Sequence, residues 1–571
     1  MANSKLIFNR LQEHAIAPAS NRVLDGSILA TSLAAIISRN VAEEIQPLSV
    51  EEALPIHVLS DIINKVKDAR DLANCRATSK TMKEVVREVR CLNLVCLKRY
   101  YELARKRYPV RPQCSYSDTE DEDDMIESDS DESEEDEDDD DCCEMSQVNS
   151  NRGYQNGCCA NSSSFSNSSL QHTDNVSFKN ACLKMLRCVG KVEQLRIEVD
   201  QEMQDNPLLK EEIHMVDFWL SEPMFVRKWV YSCGHSLQHL TVIDYGQQAI
   251  MRQSPILRIL SEQCKQLVSL ELRNMYLDTS DLEVMPKMKS LTLRCIKMTE
   301  RSLTEINACM PELVILALVS VFGVQDAHFS SNKLEVLCLG LSTSAKVVDL
   351  HLPIVKKLQI KMVCPDVLRV HAPKLTYVAV CMENRDGSIV EFDDVTNLKE
   401  LLFGASHFST LSRLIRTNSV LEKVFLDVPC MALGGDGKWE GVIPQVPLQI
   451  PDIESLKELC PFLHTLSVGP GLWHSMEQSL ATNQELTTFR TWPALSRLIV
   501  HMVALSLESC VALLLRLVST VPSLQRLEIY VHLDSPVKPD QLRSTCQEHL
   551  AHTNLQWGTW RRSLNFACFS F

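Results

Sequence analysis

The pattern L-x-x-L-x-L, with Val, Ile, Met or Phe standing in for Leu, recurs through most of this chain. Units begin at Val192, Leu237, Leu267, Met288, Leu313, Leu334, Val355, Leu375, Leu398, Leu421, Leu463, Leu495 and Leu524. From Leu267 to Leu421 the starts lie 20 to 30 residues apart, and eight consecutive matches at that spacing do not arise by chance. The L-x-L pair sends alternate side chains of a short strand to one face, and the first Leu packs from the preceding turn. One such unit cannot bury its face alone, so neighbours must stack into a parallel sheet. A chain of 571 residues exceeds what one compact core supports unless repeats build that core. Prolines before several units (Pro286, Pro311, Pro353, Pro373, Pro493, Pro522) predict turns that lead into the strands. The expected class is α/β: a curved solenoid with an inner parallel sheet over residues 181–535, then a C-terminal cap over 536–571. The asparagine that closes the sharpest motifs of this kind is mostly missing, and Cys295 stands close to its place in one unit. Between Leu421 and Leu463 the gap is about two repeats long and holds Gly434-Gly435-Asp436-Gly437-Lys438-Trp439. A long loop over about residues 429–452 is expected there, either functional or a plain insertion.

Residues 54–97 read differently. Leu54, Val58, Leu59, Ile62, Ile63 and Val66 recur at helical spacing, with Pro55 suited to a first turn. Asp71 is placed to cap a second helix through Leu72, Cys75 and Ala77. Met82, Val85, Val86 and Val89 continue a third amphipathic face, so residues 51–90 form a small helical module. Val89-Cys91-Leu92-Leu94 then fits the repeat pattern as an opening unit within residues 91–113. Residues 1–50 form an N-terminal extension, partly helical, with Ile28–Ile37 as a buried helix bounded by Asp25 and Arg39.

The net charge of −16 belongs to one segment. Residues 118 to 144 hold nineteen Asp or Glu and no Lys or Arg, so the rest of the chain carries +3. A Ser/Asn-rich stretch (Asn161 to Ser169) follows, and no core can form from such composition, so residues 114–180 are expected to be a disordered insert. Ser117, Ser128 and Ser133 each have an acidic residue three positions on and suit an acidophilic kinase. The basic cluster Lys98, Arg99, Arg105, Lys106, Arg107 and Arg111 reads as a nuclear import signal or as a solvated helix face.

The 22 cysteines include no C-x-x-C pair, and reduced thiols account for them best. No apolar run long enough to span a bilayer occurs. The P-loop, G-x-G-x-x-G, H-E-x-x-H and G-x-S-x-G motifs are all missing, so neither catalysis nor a cofactor or metal is expected.

The stretch from Leu54 to Val89 resembles an F-box through Leu54-Pro55, Leu59, Ile62-Ile63, Asp71-Leu72 and Ser79-Lys80. It departs from that motif at His57, where an acidic residue is usual, and at Met82, where Trp is usual. An F-box running into these repeats resembles the F-box/leucine-rich-repeat family, the substrate receptors of SCF-type ubiquitin ligases. The resemblance implies that Leu54, Pro55, Leu59, Ile62, Ile63 and Leu72 dock a Skp-type adaptor and, through it, a cullin-RING ligase. The repeats would then hold a protein target for ubiquitination and proteasomal degradation in the nucleus and/or cytoplasm, with no direct contact to nucleic acid or membrane. Arg273, Arg294 and Lys361 occupy outward strand positions on the expected concave face and are candidates for an acidic or phosphorylated target. The insert would compete with that target, so deleting residues 117 to 144 is expected to strengthen its binding. Two further readings stay open. In one, the leucines of the helical module face inward as a cap on the first repeat, and the chain is a scaffold whose acidic insert binds basic partners such as histones. In the other, a small ligand under the loop near Trp439 glues target to receptor.

Overall fold

The computed structural model describes residues 56–107, 177–203, 217–244, 251–383, 387–404, 407–427, 431–433, 439–441, 457–458, 460–482, 491–550 and 554–560. The extension 1–50 with its expected helix at 28–37, Leu54 and Pro55, nearly all of the insert 114–180 with its serines, and most of the loop 429–452 lie outside these residues. Two compact units are present, one of Met1–Lys98 with Phe178–Phe571 and the other of Arg99–Ser177. In the second unit the described residues are those of the helix Lys98–Arg107, which begins one residue earlier, and Ser177.

The first unit is organised by one long parallel sheet whose strands follow each other in chain order. It starts at Cys91–Cys96, passes through a strand in each of the thirteen repeat units, and ends at Leu555–Trp560. A parallel pair needs a crossover connection, so every unit must return along the far side before the next strand. The two pattern residues of the strands are buried, and in many strands the residues around them are more exposed, as in Leu270 and Leu272 between Ser269, Glu271 and Arg273. The first pattern residue is buried in twelve units, whereas Leu524 is half-buried in the last. Burying each such side chain stabilises the fold by up to about 1.5–3 kcal/mol.

The return segment follows repeat length at the extremes, while at 23 residues both kinds occur, Ile389–Asp393 as a strand and Phe408–Thr417 as a helix. In several units whose starts lie 25 or more residues apart a helix fills the far side, as with Ile256–Gln263, Ser302–Cys309 and Leu507–Ser519. Where they lie 20 or 21 apart there is no helix. In three of these units Asp326–Ser330, Val347–His351 and Val367–His371 return as strands, and with Ile389–Asp393 of the 23-residue unit that follows they pair into a second parallel sheet of four strands. Its inward residues, Ala327, Phe329, Val348, Leu350, Leu368, Val370 and Phe392, close the core between the two sheets. Between starts at Leu398 and Leu421, the buried Asn418 accepts from Leu398 N (2.7 Å) and donates to Val395 O (3.0 Å) and Leu414 O (2.7 Å). Every polar atom of that amide oxygen and nitrogen pair is thereby answered.

Cys295 stands one residue before the asparagine place of its unit. In the units starting at Leu267, Met288 and Leu313 that offset holds Met275, Ile296 and Val321, all fully buried. The residue just before each one is left-handed: Asn274 (φ 60°), Cys295 (φ 51°) and Ser320 (φ 55°). These are stacked bulges that turn an extra side chain to the solvent face. Gly323 (φ 88°) follows the last of them, and a Cβ there would sit 2.1 Å from Met298 O, so only glycine fits.

The amino-terminal module consists of the helices Ile56–Ile63, Ala69–Thr78 and Lys80–Arg87. The second is capped by Asp68, which accepts from Arg70 N and Asp71 N; Asp71, the expected cap, lies in the first turn instead. Its carboxylate still favours the positive end of the helix. Ser79 caps the third helix by accepting from Met82 N at 3.1 Å. Asn93 N donates to Lys67 O at 2.8 Å, which ties the module to the first strand of the sheet.

Candidate functional site

Two surfaces of the first unit concentrate the residues singled out from the sequence. On the helical module, Leu59, Ile63 and Leu72 are buried, with Leu72 fully so. Together with Val85, Val86 and Val89 they form the module's own core. Ile62 is half-buried, and Ile56, at 60 % exposure, is the large apolar side chain that the first helix presents to solvent. The fully buried positions therefore hold the shape of the module, and the apolar contact area open to a partner lies at Ile56 and Ile62.

The second surface is the solvent face of the long sheet. Arg273 and Arg294 are register partners on adjacent strands. Arg294 pairs in turn with Val319, and Lys361 pairs with Gly340 one strand further along that row. The three basic residues thus share one row, with Val319 and the side-chain-free Gly340 between Arg294 and Lys361. Arg294 Nε lies 3.6 Å from Glu271 Oε1, so the pair is partly neutralised from within. Asn274, Cys295 and Ser320 run alongside as a polar row, and Lys297 Nζ lies 4.4 Å above the Tyr276 ring. Cys338 faces this patch, but burial pushes its thiol up to about 11 against the opposing pull of Arg294, so it is no thiolate nucleophile at neutral pH.

Sequence reasoning missed a third group of residues near the other end of the same face. It comprises Arg497, His501, Arg526, Glu528 and Tyr530. His501 and Tyr530 stand at the strand offset used to pick Arg273, one residue after the last pattern residue. Applying that offset to every unit would have found them.

Within the loop at 429–452, Met431–Leu433 and Trp439–Gly441 pair as a short antiparallel ribbon. Ser117, Ser128 and Ser133 lie outside the described residues. Among the described residues no group of three or more His, Cys, Asp or Glu is arranged to hold a metal ion, no cysteine forms a disulfide, and no helix is long and apolar enough to cross a membrane.

Residues 227–422 match the family model described as "FBD-associated F-box protein At5g56370, LRR repeats". The match spans Arg273, Arg294 and Lys361 and stops short of Arg497. The chain is also similar to the F-box/LRR-repeat protein At4g29420 of Arabidopsis thaliana, at 21% identity over 515 residues. That alignment covers 89% of this chain and 98% of the relative.

Proposed function

Because the chain belongs to the F-box/leucine-rich-repeat family, we propose that it is the substrate-recognition subunit of an SCF-type ubiquitin ligase. In this reading the helical module docks a Skp-type adaptor and the solvent face of the sheet receives the protein to be ubiquitinated. The chain itself performs no chemistry; it holds a target where the assembled cullin-RING ligase acts. The nucleus and the cytoplasm are the compartments this role calls for.

The observation that carries the reading is the module itself. Three short helices share a small core, and the first of them leaves Ile56 exposed and Ile62 half-buried beside Leu54-Pro55 in sequence. A module this small gains stability by laying an apolar strip into a partner's groove. Recognition of the target falls to the row Arg273, Arg294 and Lys361, whose charge suits an acidic or phosphorylated segment. The burial of Leu59, Ile63 and Leu72 is equally what a cap on the first repeat requires, and that favours keeping the non-ligase scaffold as the competing reading.

Capture of the intact chain by a Skp-type adaptor separates the two. The adaptor is expected to retain the intact chain and to lose a Leu54→Ala, Pro55→Ala double variant whose melting temperature is unchanged. Failure of the adaptor to retain either protein would remove the ligase reading and leave the scaffold.

A further inference from the structure

The group at the far end of the sheet face is built around a carboxylate that has no reason to be there on packing grounds. Glu528 projects to the solvent side of its strand, yet it is 3 % exposed. Its Oε1 accepts from Arg497 Nε (2.7 Å) and lies 2.6 Å from Arg497 Nη2 and 2.7 Å from Arg526 Nε. Its Oε2 accepts from the Tyr530 hydroxyl at 3.0 Å. Arg526 Nη2 also donates to Gln556 Oε1 at 2.5 Å.

Arg497 and Arg526 are register partners on adjacent strands, so their like charges start about 4.8 Å apart at the backbone. A desolvated carboxylate is expensive, and here several charge-assisted hydrogen bonds offset that cost. The outcome is two guanidinium groups fixed side by side. Each has five N–H donors, and the bonds just described engage only the Nε and Nη2 ends. The arginine side chains remain 40 % and 46 % exposed, with donors to spare.

Beside the arginines stands a flat wall. The Tyr530 ring stacks on His501 at 4.9 Å and 12°, and Phe425 meets His501 edge-on at 6.4 Å. Gly558 makes room for this ring, since a Cβ there would come within 2.5 Å of Tyr530. His501 Nδ1 is buried and has no hydrogen-bond partner. An orphaned polar atom beside donors with spare capacity marks a surface that is incomplete alone.

Charge selects the occupant. Two arginines and Glu528 leave one net positive charge, and one carboxylate cancels it. A phosphate dianion would leave a negative excess next to buried Glu528.

We propose that Arg497, Arg526 and the Tyr530–His501 stack form a docking site for an Asp or Glu side chain of an extended partner segment, with an apolar or aromatic neighbour of that acid laid on the stack. The site is separate from the Arg273–Arg294 patch and stands whether or not the helical module docks an adaptor.

The test is selection of a random phage-displayed peptide library on the full-length chain, followed by binding titrations of the recovered peptides. Recovered sequences are expected to carry Asp or Glu beside an apolar or aromatic residue. Changing that acid to its amide should weaken binding about tenfold or more, as should the Arg497→Gln, Arg526→Gln double variant. Arg497→Lys, Arg526→Lys keeps the charge but loses the fixed fork and should fall between. Tyr530→Ala leaves both arginines in place and should remove the preference for the apolar neighbour, which keeps the idea testable if the double variants fold poorly. Melting curves and adaptor capture run on the same proteins separate loss of this site from loss of fold or of adaptor docking. Peptides without an acid, equal binding to the Gln variant, no enrichment over that variant, or tighter binding when phosphoserine replaces the acid would each overturn the proposal.

Discussion

Asn274 and Cys295 stand opposite one another on adjacent parallel strands, and both hold a left-handed backbone, with φ of 60° and 51°. Asparagine tolerates that region, whereas most side chains lose about 1–2 kcal/mol in it. Cys295→Gly is therefore expected to stabilise the fold by about 0.5–1 kcal/mol, and Cys295→Val to destabilise it by about 1–2 kcal/mol. Urea unfolding of the two variants checks this. A Gly variant weaker than the parent would mean that contacts of the thiol outweigh the backbone strain.

The helical module separates core from contact. Leu72→Ala removes a fully buried side chain and is expected to cost about 2–5 kcal/mol. Ile56→Asp changes an exposed position and should shift stability by no more than about 0.5 kcal/mol. Both should weaken adaptor capture, the first by loosening the module and the second by placing a charge on the contact. Capture unaffected by Ile56→Asp at unchanged melting temperature would move docking off this helix.

His501 makes the C-terminal repeats sensitive to acid. Burial lowers its pKa from 6.5 to about 4, against the raising effect of Glu528. The native state holds the ring neutral while the unfolded chain takes up a proton near pH 6.5, so stability is full above that pH and falls as pH drops toward 4. The loss amounts to about 2–3 kcal/mol at the low end. Melting temperatures from pH 7 to pH 4 should decline more steeply for the parent than for His501→Phe. Parallel curves would show that this ring does not titrate as described.

A second buried titrating group acts in the opposite sense. Burial raises the carboxyl pKa of Glu477 even though Cys510 Sγ donates to its Oε1 at 2.8 Å. An acid held above its ordinary value favours the native state while protonated, and that advantage is lost as pH rises from 4.5 through the folded value. Glu477→Gln should thus raise the melting temperature at pH 7 and leave it nearly unchanged at pH 4. A Gln variant that melts lower at pH 7 would indicate that the charged carboxylate is better solvated than its burial suggests.

The parallel sheet was open to reading because it depends on local spacing. Each unit needs only its own two inward residues, and these fall at fixed offsets from Val192 to Leu524. The second sheet was not, since strands such as Val347–His351 are five residues long and their Val-x-Leu alternation merges with the unit before it. The closing strand Leu555–Trp560 escaped because its inward pair is Leu555 and Trp557, with no leucine three residues ahead. The capping role moved from Asp71 to Asp68 because a cap precedes the first turn, and apolar spacing locates that turn only loosely. Among site residues, Arg273 and Arg294 were found from their offset, but Glu271, which neutralises part of their charge, is seen only in register. Arg497 and Glu528 lie 31 residues apart, and only the length of the intervening helical return brings them side by side.

The four strands between Asp326 and Asp393 bear on how the array comes apart. Among the described residues, repeats elsewhere hold their neighbours by one ladder of backbone hydrogen bonds, whereas those in the middle are laced along both walls. In a stacked chain, opening spreads from repeat to repeat through such nearest-neighbour joints. Fraying that starts at either terminus therefore meets a firebreak at the centre, and the last backbone amides to exchange with water should be those of Val348, Leu350, Leu368 and Val370.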